Sequence, residues 1–282
     1  MRPLRSAAAF GLQGMAAFAF AFPMLVSLAT SVKSSHEVNE GSVLTLPHHP
    51  VLTPWAKAWS SLCSGGDCYG ISSGVANSFM IVIPALSISL VLGSITGFAL
   101  SLRKSRRADL LFAALLIGLF LPIQLTLFPM IESLRELGLF GTRAGLILVH
   151  TVWGLPFVTL LFRNFFLGVS RDVLDAARVD GAGFFDIFRH VMLPMSLPVC
   201  AVALVLQFTF LWNDFLLGLT FSGRGNEPVT VVLNILAGAQ FGAQEYNVIM
   251  AAAVLAALPP ILLHLLAGRL LVRGIAARPF HG

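Results

Sequence analysis

Long apolar runs alternate with short polar segments along the whole chain. Six stretches contain no Asp, Glu, Lys or Arg and are 19 to 28 residues long: 10–32, 75–102, 110–131, 144–162, 191–213 and 246–268. A helix that rises about 1.5 Å per residue needs about 20 residues to cross the hydrocarbon core of a bilayer. Strands of a membrane barrel would be about half as long and would alternate in polarity. The pattern therefore predicts an all-α integral membrane protein with six transmembrane helices.

The composition supports a protein embedded in lipid. Hydrophobic residues make up 57% of the 282 residues and charged residues 11%, whereas a soluble domain has about 25% charged residues. This difference excludes an ordinary soluble enzyme. The net charge of +5 would suit nucleic acid, but basic residues beside apolar spans set membrane topology. We therefore expect a lipid bilayer and no nucleic acid as partner, and a single transmembrane domain over residues 1–282.

The basic residues predict the orientation. With the N-terminus inside, thirteen of the eighteen Lys and Arg residues fall on inside segments, which is the distribution that cytoplasmic loops show. Both termini are then cytoplasmic, in a multi-pass protein of the bacterial inner membrane. The first run could instead be a signal peptide, because Arg2 and Arg5 precede it and Ser27 begins a weak cleavage site. Its 23 residues are long for a signal core and favour an uncleaved first helix.

The segment 34–74 is then an outside loop that is too long for a tight turn. It contains Cys63 and Cys68 around a Gly-rich stretch. Outside the cytoplasm a disulfide can persist, so these residues are either a bonded pair or two free thiols, and the location favours the bond. Cys200 falls inside a span, where a lone cysteine is usually a small packing residue.

The second long connection, around residues 167–190, is a cytoplasmic loop with the signals of a short helix. Ser170 is a good N-cap, Asp175 can pair with Arg171 and Arg178, and Gly181 suits a left-handed C-terminal position. Ala176 and Ala177 leave one side of this helix open to a close approach. The helix could lie on the lipid headgroups, or it could contact another protein.

The residues of this loop resemble a known family. Asp175-Ala176-Ala177, three residues, Gly181, nine residues and the run 191–194 (Val-Met-Leu-Pro) resemble the EAA loop of ABC-importer permeases. That loop reads Glu-Ala-Ala, three residues, Gly, nine residues, Ile-x-Leu-Pro, so Asp replaces Glu and Val replaces Ile here. Asn77-Ser78 and 212–215 (Trp-Asn-Asp-Phe) resemble the carbohydrate branch. The Cys63–Cys68 loop, 228–231 (Pro-Val-Thr-Val) and 245–248 (Glu-Tyr-Asn-Val) are most similar to glucose/mannose-type permeases.

The resemblance implies a type I ABC-importer permease fold with a cytoplasmic coupling helix. It assigns contact with an ATPase to eight residues of the loop: Asp175, Ala176, Ala177, Asp180, Gly181, Ala182, Phe184 and Phe188. The implied partners are a second, different permease, two copies of an ATP-binding subunit and an extracytoplasmic sugar-binding protein. The function would be glucose or mannose uptake by alternating access. A glucoside or oligosaccharide is the alternative substrate, and a stand-alone secondary carrier is the alternative from another class.

Several absences support a subunit without catalysis of its own. None of the three lysines, Lys33, Lys57 and Lys104, follows a glycine, as the phosphate-binding loop of an ATPase requires. ATP and Mg²⁺ are therefore expected in the partner ATPase, and this chain is expected to bind no cofactor. No His, Cys, Asp or Glu group has the spacing of metal ligands.

One polar group near a span is a candidate for the substrate path. Trp212, Asn213 and Asp214 follow one another near the end of the fifth run. An aromatic face can stack on a sugar ring, and an amide and a carboxylate can bind hydroxyls. Alternatively, Trp212 is a membrane-interface residue and its two neighbours cap a helix end. The residues leave both interpretations open.

Overall fold

The computed structural model describes residues 2–42, 44–61, 68–102, 105–238 and 245–276, and side chains within 10–268. Within these ranges every regular secondary-structure element is a helix. They are α1 (Arg2–Ser31), α2 (Ser35–Glu40), α3 (Thr53–Ser60), α4 (Ser72–Leu102), α5 (Arg106–Phe120), α6 (Ile123–Glu136), α7 (Arg143–Leu167), α8 (Arg171–Val179), α9 (Phe184–Asp186), a π-helix (Ile187–Met192), α10 (Leu193–Met195), α11 (Leu197–Asn213), α12 (Leu216–Phe221), α13 (Val229–Gly238) and α14 (Tyr246–Ala276).

Four of these helices are long and apolar enough to cross a membrane unbroken. They contain Phe10–Ser31 of α1, Ser72–Leu102, Arg143–Leu167 and Tyr246–Gly268 of α14. Two further spans form only if a bent pair of helices is counted as one, which gives six. The expectation that residues 110–131 and 191–213 each form a single helix is therefore wrong, because each range is divided between the two members of a bent pair.

Both bends occur at prolines. α5 and α6 meet at 103°, where Leu121 is extended (φ −66°, ψ 131°) in front of Pro122. A residue before proline is disfavoured in the helical region because the proline ring crowds it. The segments Phe184–Met195 and Leu197–Asn213 differ in direction by 76°, and Pro198 lies in the first turn of the second segment, a position that proline tolerates.

Contacts divide the chain into two compact units, and the first comprises residues 1–75 and 232–258. The segment that follows α1, which includes Lys33, Trp55 and Lys57, is tied to α1 and to the start of α14 by polar contacts. The Asn247 side-chain amide donates to the Lys33 carbonyl at 3.0 Å, and Trp55 Nε1 donates to Ser31 Oγ at 3.2 Å. Lys57 and Glu245 form an ion pair. Because Cys63 lies outside the described residues, the Cys63–Cys68 disulfide remains a prediction.

The second unit comprises residues 76–231 and 259–282, and α4 and α7 pack closely within it. A Cβ on Gly93 would lie 2.6 Å from Val158 Cγ1, and a Cβ on Gly97 would lie 2.8 Å from the Arg163 nitrogen. Such approach is possible only without a side chain. Near the start of α4, Ser78 Oγ accepts a hydrogen bond from the Val229 amide at 2.8 Å.

Candidate functional site

The segment 167–190, here called the EAA-like loop, begins with a capped helix. Ser170 Oγ accepts a hydrogen bond from the Asp172 amide at 3.3 Å, which satisfies one of the open donors of the first turn of α8. Arg178 Nη1 donates to Asp175 Oδ1 at 2.9 Å across one helical turn. The cap and this ion pair are those that the sequence pattern predicts.

The C-terminus of α8 is closed by a glycine in the left-handed region. Gly181 has φ +79°, and its amide donates to the Arg178 carbonyl at 3.0 Å. The next amide, of Ala182, donates to the Ala177 carbonyl at 3.0 Å. These two bonds form a Schellman motif, which fixes the direction of the chain after the helix. The structure confirms the positive φ that the loop pattern predicts for Gly181.

The EAA-like loop has an exposed side and a side that packs on its own chain, and the residues predicted to contact an ATPase are divided between the two. Leu174 is buried, and Ala177 and Ala182 pack against the same buried cluster. Asp175, Ala176, Asp180 and Gly181 are exposed. The inner face attaches the helix to its own chain, so only the exposed residues are available to another protein. Val179, which the loop pattern did not indicate, is 87% exposed.

The second half of the loop is held by aromatic rings. The rings of Phe184 and Phe188 lie 4.9 and 5.6 Å from that of Phe98 in α4. The ring of Phe166 in α7 lies 5.6 Å from Phe98 as well. We call Phe98, Phe166, Phe184 and Phe188 the Phe98 cluster. Phe98 is fully buried and Phe188 nearly so, whereas Phe184 remains partly exposed.

Sequence reasoning identified the loop residues of this cluster but missed Phe98. One phenylalanine within an apolar span carries no signal of a distant partner. Gly97 immediately before it is the nearest indication, because a small residue in a span often marks close helix packing.

Trp212 does not lie at an exposed surface of this chain. It is 1% exposed, stacked on Phe208 at 5.5 Å and in edge contact with Phe79 at 4.8 Å. The ring of Trp212 is therefore covered by its own chain. This packing fits neither an interface residue nor a sugar-stacking surface.

Asp214 has the capping role that the alternative interpretation gave it, although it caps the following helix. Its carboxylate accepts hydrogen bonds from the Gly218 amide at 2.9 Å and the Leu217 amide at 3.4 Å. These are open donors of the first turn of α12. Thr230 Oγ1 also donates to the Asp214 carbonyl at 2.6 Å. Asp214 therefore links α11, α12 and α13.

An open cavity of about 550 Å³ adjoins these residues. Its lining consists of Leu206, Thr209, Phe210, Asn213, Asp214, Phe215, Leu216 and His264. Its lining is mostly apolar, with two aromatic side chains, and it also includes a hydroxyl, an amide, a carboxylate and an imidazole. Leu206, Phe210 and Asn213 are spaced by four and three residues, so they lie on one face of α11. This helical periodicity is the sequence signal for the cavity-lining face of α11.

Four apolar helices long enough to cross a membrane, two bent pairs that can each form a further span, and a capped loop helix suit a membrane subunit of a transporter. Residues 89–277 match the family of binding-protein-dependent transport system inner membrane components, and the chain belongs to this family. It is therefore a non-catalytic ABC transporter permease subunit, a membrane component that works with ATP-binding subunits.

Related proteins support this assignment over nearly the whole chain. A probable ABC transporter permease protein of Pyrococcus horikoshii is 31% identical over 258 residues, which cover 91% of each chain. The diacetylchitobiose uptake system permease protein of Streptomyces coelicolor is 32% identical over 243 residues, covering 86% of this chain and 78% of that protein.

The fold is that of the type I importers. The chain superposes with a TM-score of 0.80 on a chain of a bacterial ABC transporter involved in the import of the acidic polysaccharide alginate. The two are 19% identical, and the match covers 95% of this chain and 96% of the other. The predicted fold class is thereby confirmed.

Proposed function

We propose that this chain is the permease subunit of an ATP-driven sugar importer, with glucose or mannose as substrate. The exposed side of the capped helix α8 is the observation that carries the importer assignment, because it offers Asp175, Ala176 and Asp180 beside a rigid Gly181 turn. The resemblance to carbohydrate permeases and the diacetylchitobiose relative support a sugar. A glucoside or oligosaccharide is the alternative substrate.

The working complex would contain this chain, a second and different permease, two ATP-binding subunits and an extracytoplasmic sugar-binding protein. ATP and Mg²⁺ would bind in the ATP-binding subunits. Closure of these subunits would displace the EAA-like loop, and the permease pair would change between inward-open and outward-open states. Both termini and the EAA-like loop would lie in the cytoplasm, as the distribution of basic residues favours.

The cavity at the end of α11 is the proposed sugar-facing surface of this chain. Thr209, Asn213 and His264 supply groups that exchange hydrogen bonds with hydroxyls, and Phe210 and Phe215 supply exposed rings. Asp214 contributes less, because its carboxylate already accepts two backbone hydrogen bonds. Trp212 supports this wall from behind through its contacts with Phe79 and Phe208.

The first test is purification of the tagged chain from its native membrane in a mild detergent, followed by mass spectrometry. Recovery of an ATP-binding subunit and a second permease is the expected result. Recovery of the chain alone would instead favour a stand-alone carrier.

The substrate is tested by uptake of [¹⁴C]glucose in cells, with competition by excess unlabelled mannose or an α-glucoside. Substituting the phosphate-binding lysine of the copurified ATP-binding subunit should abolish uptake. Uptake that persists in this variant but stops with a protonophore would contradict an ATP-driven importer. Competition by the α-glucoside but not by mannose would move the substrate to the alternative class.

A further inference from the structure

We propose that Phe98 is the positioning residue through which the EAA-like loop moves the pair of helices α4 and α7. The inference rests on the proposed docking of an ATP-binding subunit on this loop. Phe98 lies in α4 near its C-terminal end and is 0% exposed. Its ring contacts two rings of the loop, Phe184 and Phe188, and therefore joins segments distant in sequence.

The covalent route out of the loop is poorly suited to transmit a displacement. It passes through the π-helix Ile187–Met192 and then through the 76° bend before α11. π-Helical turns and sharp bends are places where a helix changes direction or flexes. A displacement of α8 along this route would be absorbed at the bend rather than passed along the axis of α11.

The non-covalent route through Phe98 has no such break. Gly93 and Gly97 bring the backbones of α4 and α7 so close that an added Cβ would lie under 3.0 Å from α7 atoms. Phe166 of α7 is also in ring contact with Phe98. Because closely packed helices shift together rather than deform, a displacement of Phe98 is a displacement of both helices.

The inner face of α8 packs on the buried core that contains Phe98. Leu174 is buried in the same core as Phe98, and Ala177 and Ala182 pack against it. The first and second halves of the loop thus rest on one buried core that includes Phe98, whereas Asp175, Ala176 and Asp180 are exposed. A partner that moves the exposed side would move Phe98.

The test uses the purified complex of this chain with its copurifying subunits in lipid nanodiscs and ATP as the only added ligand. The variants are F98L, which keeps a branched apolar side chain but removes the ring, and F98A. F221L and F221A are matched controls, since Phe221 is also 0% exposed but contacts Phe140 and lies outside the Phe98 cluster. ATP hydrolysis and the stoichiometry of the complex are measured.

We expect F98L to raise the basal rate of ATP hydrolysis at least about fivefold, the lower end of typical allosteric couplings. The reason is that closure of the ATP-binding subunits would no longer have to displace α4 and α7. The F221L rate should stay at the wild-type value in a complex of normal stoichiometry. If F98A does not assemble, F98L decides the question.

A wild-type rate for F98L, or an equal change in F98L and F221L, would overturn the proposed role of Phe98 while leaving the importer assignment intact. Two results would overturn both the role of Phe98 and the importer assignment. Either the wild-type chain binds no ATP-binding subunit, or that subunit hydrolyses ATP at the same rate with and without the chain. The two failures are therefore distinguishable.

Discussion

Gly181 stands where α8 ends and the EAA-like loop turns toward the Phe98 cluster. Its φ of +79° places it in the left-handed region, which costs an L-residue roughly 1–2 kcal/mol. An added Cβ would meet no atom within 4 Å, so the requirement for glycine is in the backbone conformation and not in the space. The turn can therefore be disturbed without a clash elsewhere.

Replacing Gly181 with valine should abolish transport while the chain remains in the membrane. A β-branched residue is only rarely found at positive φ, so the Schellman turn would open and α8 would lose its fixed direction. Uptake and the amount of chain in the membrane are to be measured together. Gly183, in the same loop with φ −75°, provides the control, because G183A should retain uptake. Normal uptake by G181V would contradict a coupling role for the EAA-like loop.

Residues were predictable from the sequence where a local pattern determines their conformation. Ser170, Asp175 and Gly181 follow from capping rules that involve neighbours within a few positions. The environment of Trp212 did not follow, because it depends on Phe79, more than a hundred positions earlier in the sequence. Which face of a span meets its own chain is decided by such distant contacts.

Thr209 and Asn213 provide the residue-level test of the sugar-facing cavity. Loss of one hydrogen bond to a sugar hydroxyl costs about 1 kcal/mol, so T209V and N213A should each raise the KM for uptake roughly fivefold. T220V is the matched control, since Thr220 and Thr209 both donate to the carbonyl four residues earlier but Thr220 does not line the cavity. Equal KM values for T209V and T220V would exclude this wall from the path.

At the level of elements, glycine and proline have different roles in the spans. Pro122 stands at the 103° bend between α5 and α6, whereas Pro84 and Pro156 lie inside the helices α4 and α7, which continue through them. Gly97 lies at a close contact, and Gly118 has no atom within 4 Å of an added Cβ. Composition identified the spans, but it could not show which glycine or proline bends a span and which packs, because that depends on the neighbouring helix.

The contact between α4 and α7 is tested by G97A. The new Cβ would lie 2.8 Å from the Arg163 nitrogen and 2.9 Å from Phe162 Cβ, and overpacking of this kind costs about 1–3 kcal/mol. We expect a melting temperature several degrees below wild type in a detergent-based unfolding assay. G118A is the control and should melt at or above the wild-type temperature, since alanine favours a helix over glycine. Equal melting of the two variants would contradict tight packing at Gly97.

For the whole molecule, the arrangement of charge complements the arrangement of apolar spans. Thirteen of the eighteen Lys and Arg residues fall on one side of the predicted membrane, and the same prediction places the exposed face of α8 on that side. The fold and family were predictable because span length and loop spacing are properties of the sequence alone. The substrate was not predictable, since the proposed sugar-facing cavity is assembled from α11, the α11–α12 connection, the start of α12 and α14.

The predicted orientation can be measured with one epitope tag placed at three positions. A tag at either terminus should be protected in intact spheroplasts and become accessible to antibody only after permeabilisation, because the basic flanks retain these ends in the cytoplasm. A tag inserted after Leu46, which is 78% exposed in the predicted outside loop, should be accessible in intact spheroplasts. Uptake by each tagged chain confirms that it is correctly inserted. An N-terminal tag accessible in intact spheroplasts, with a protected tag at Leu46, would place the EAA-like loop outside the cell, where no ATP-binding subunit could reach it.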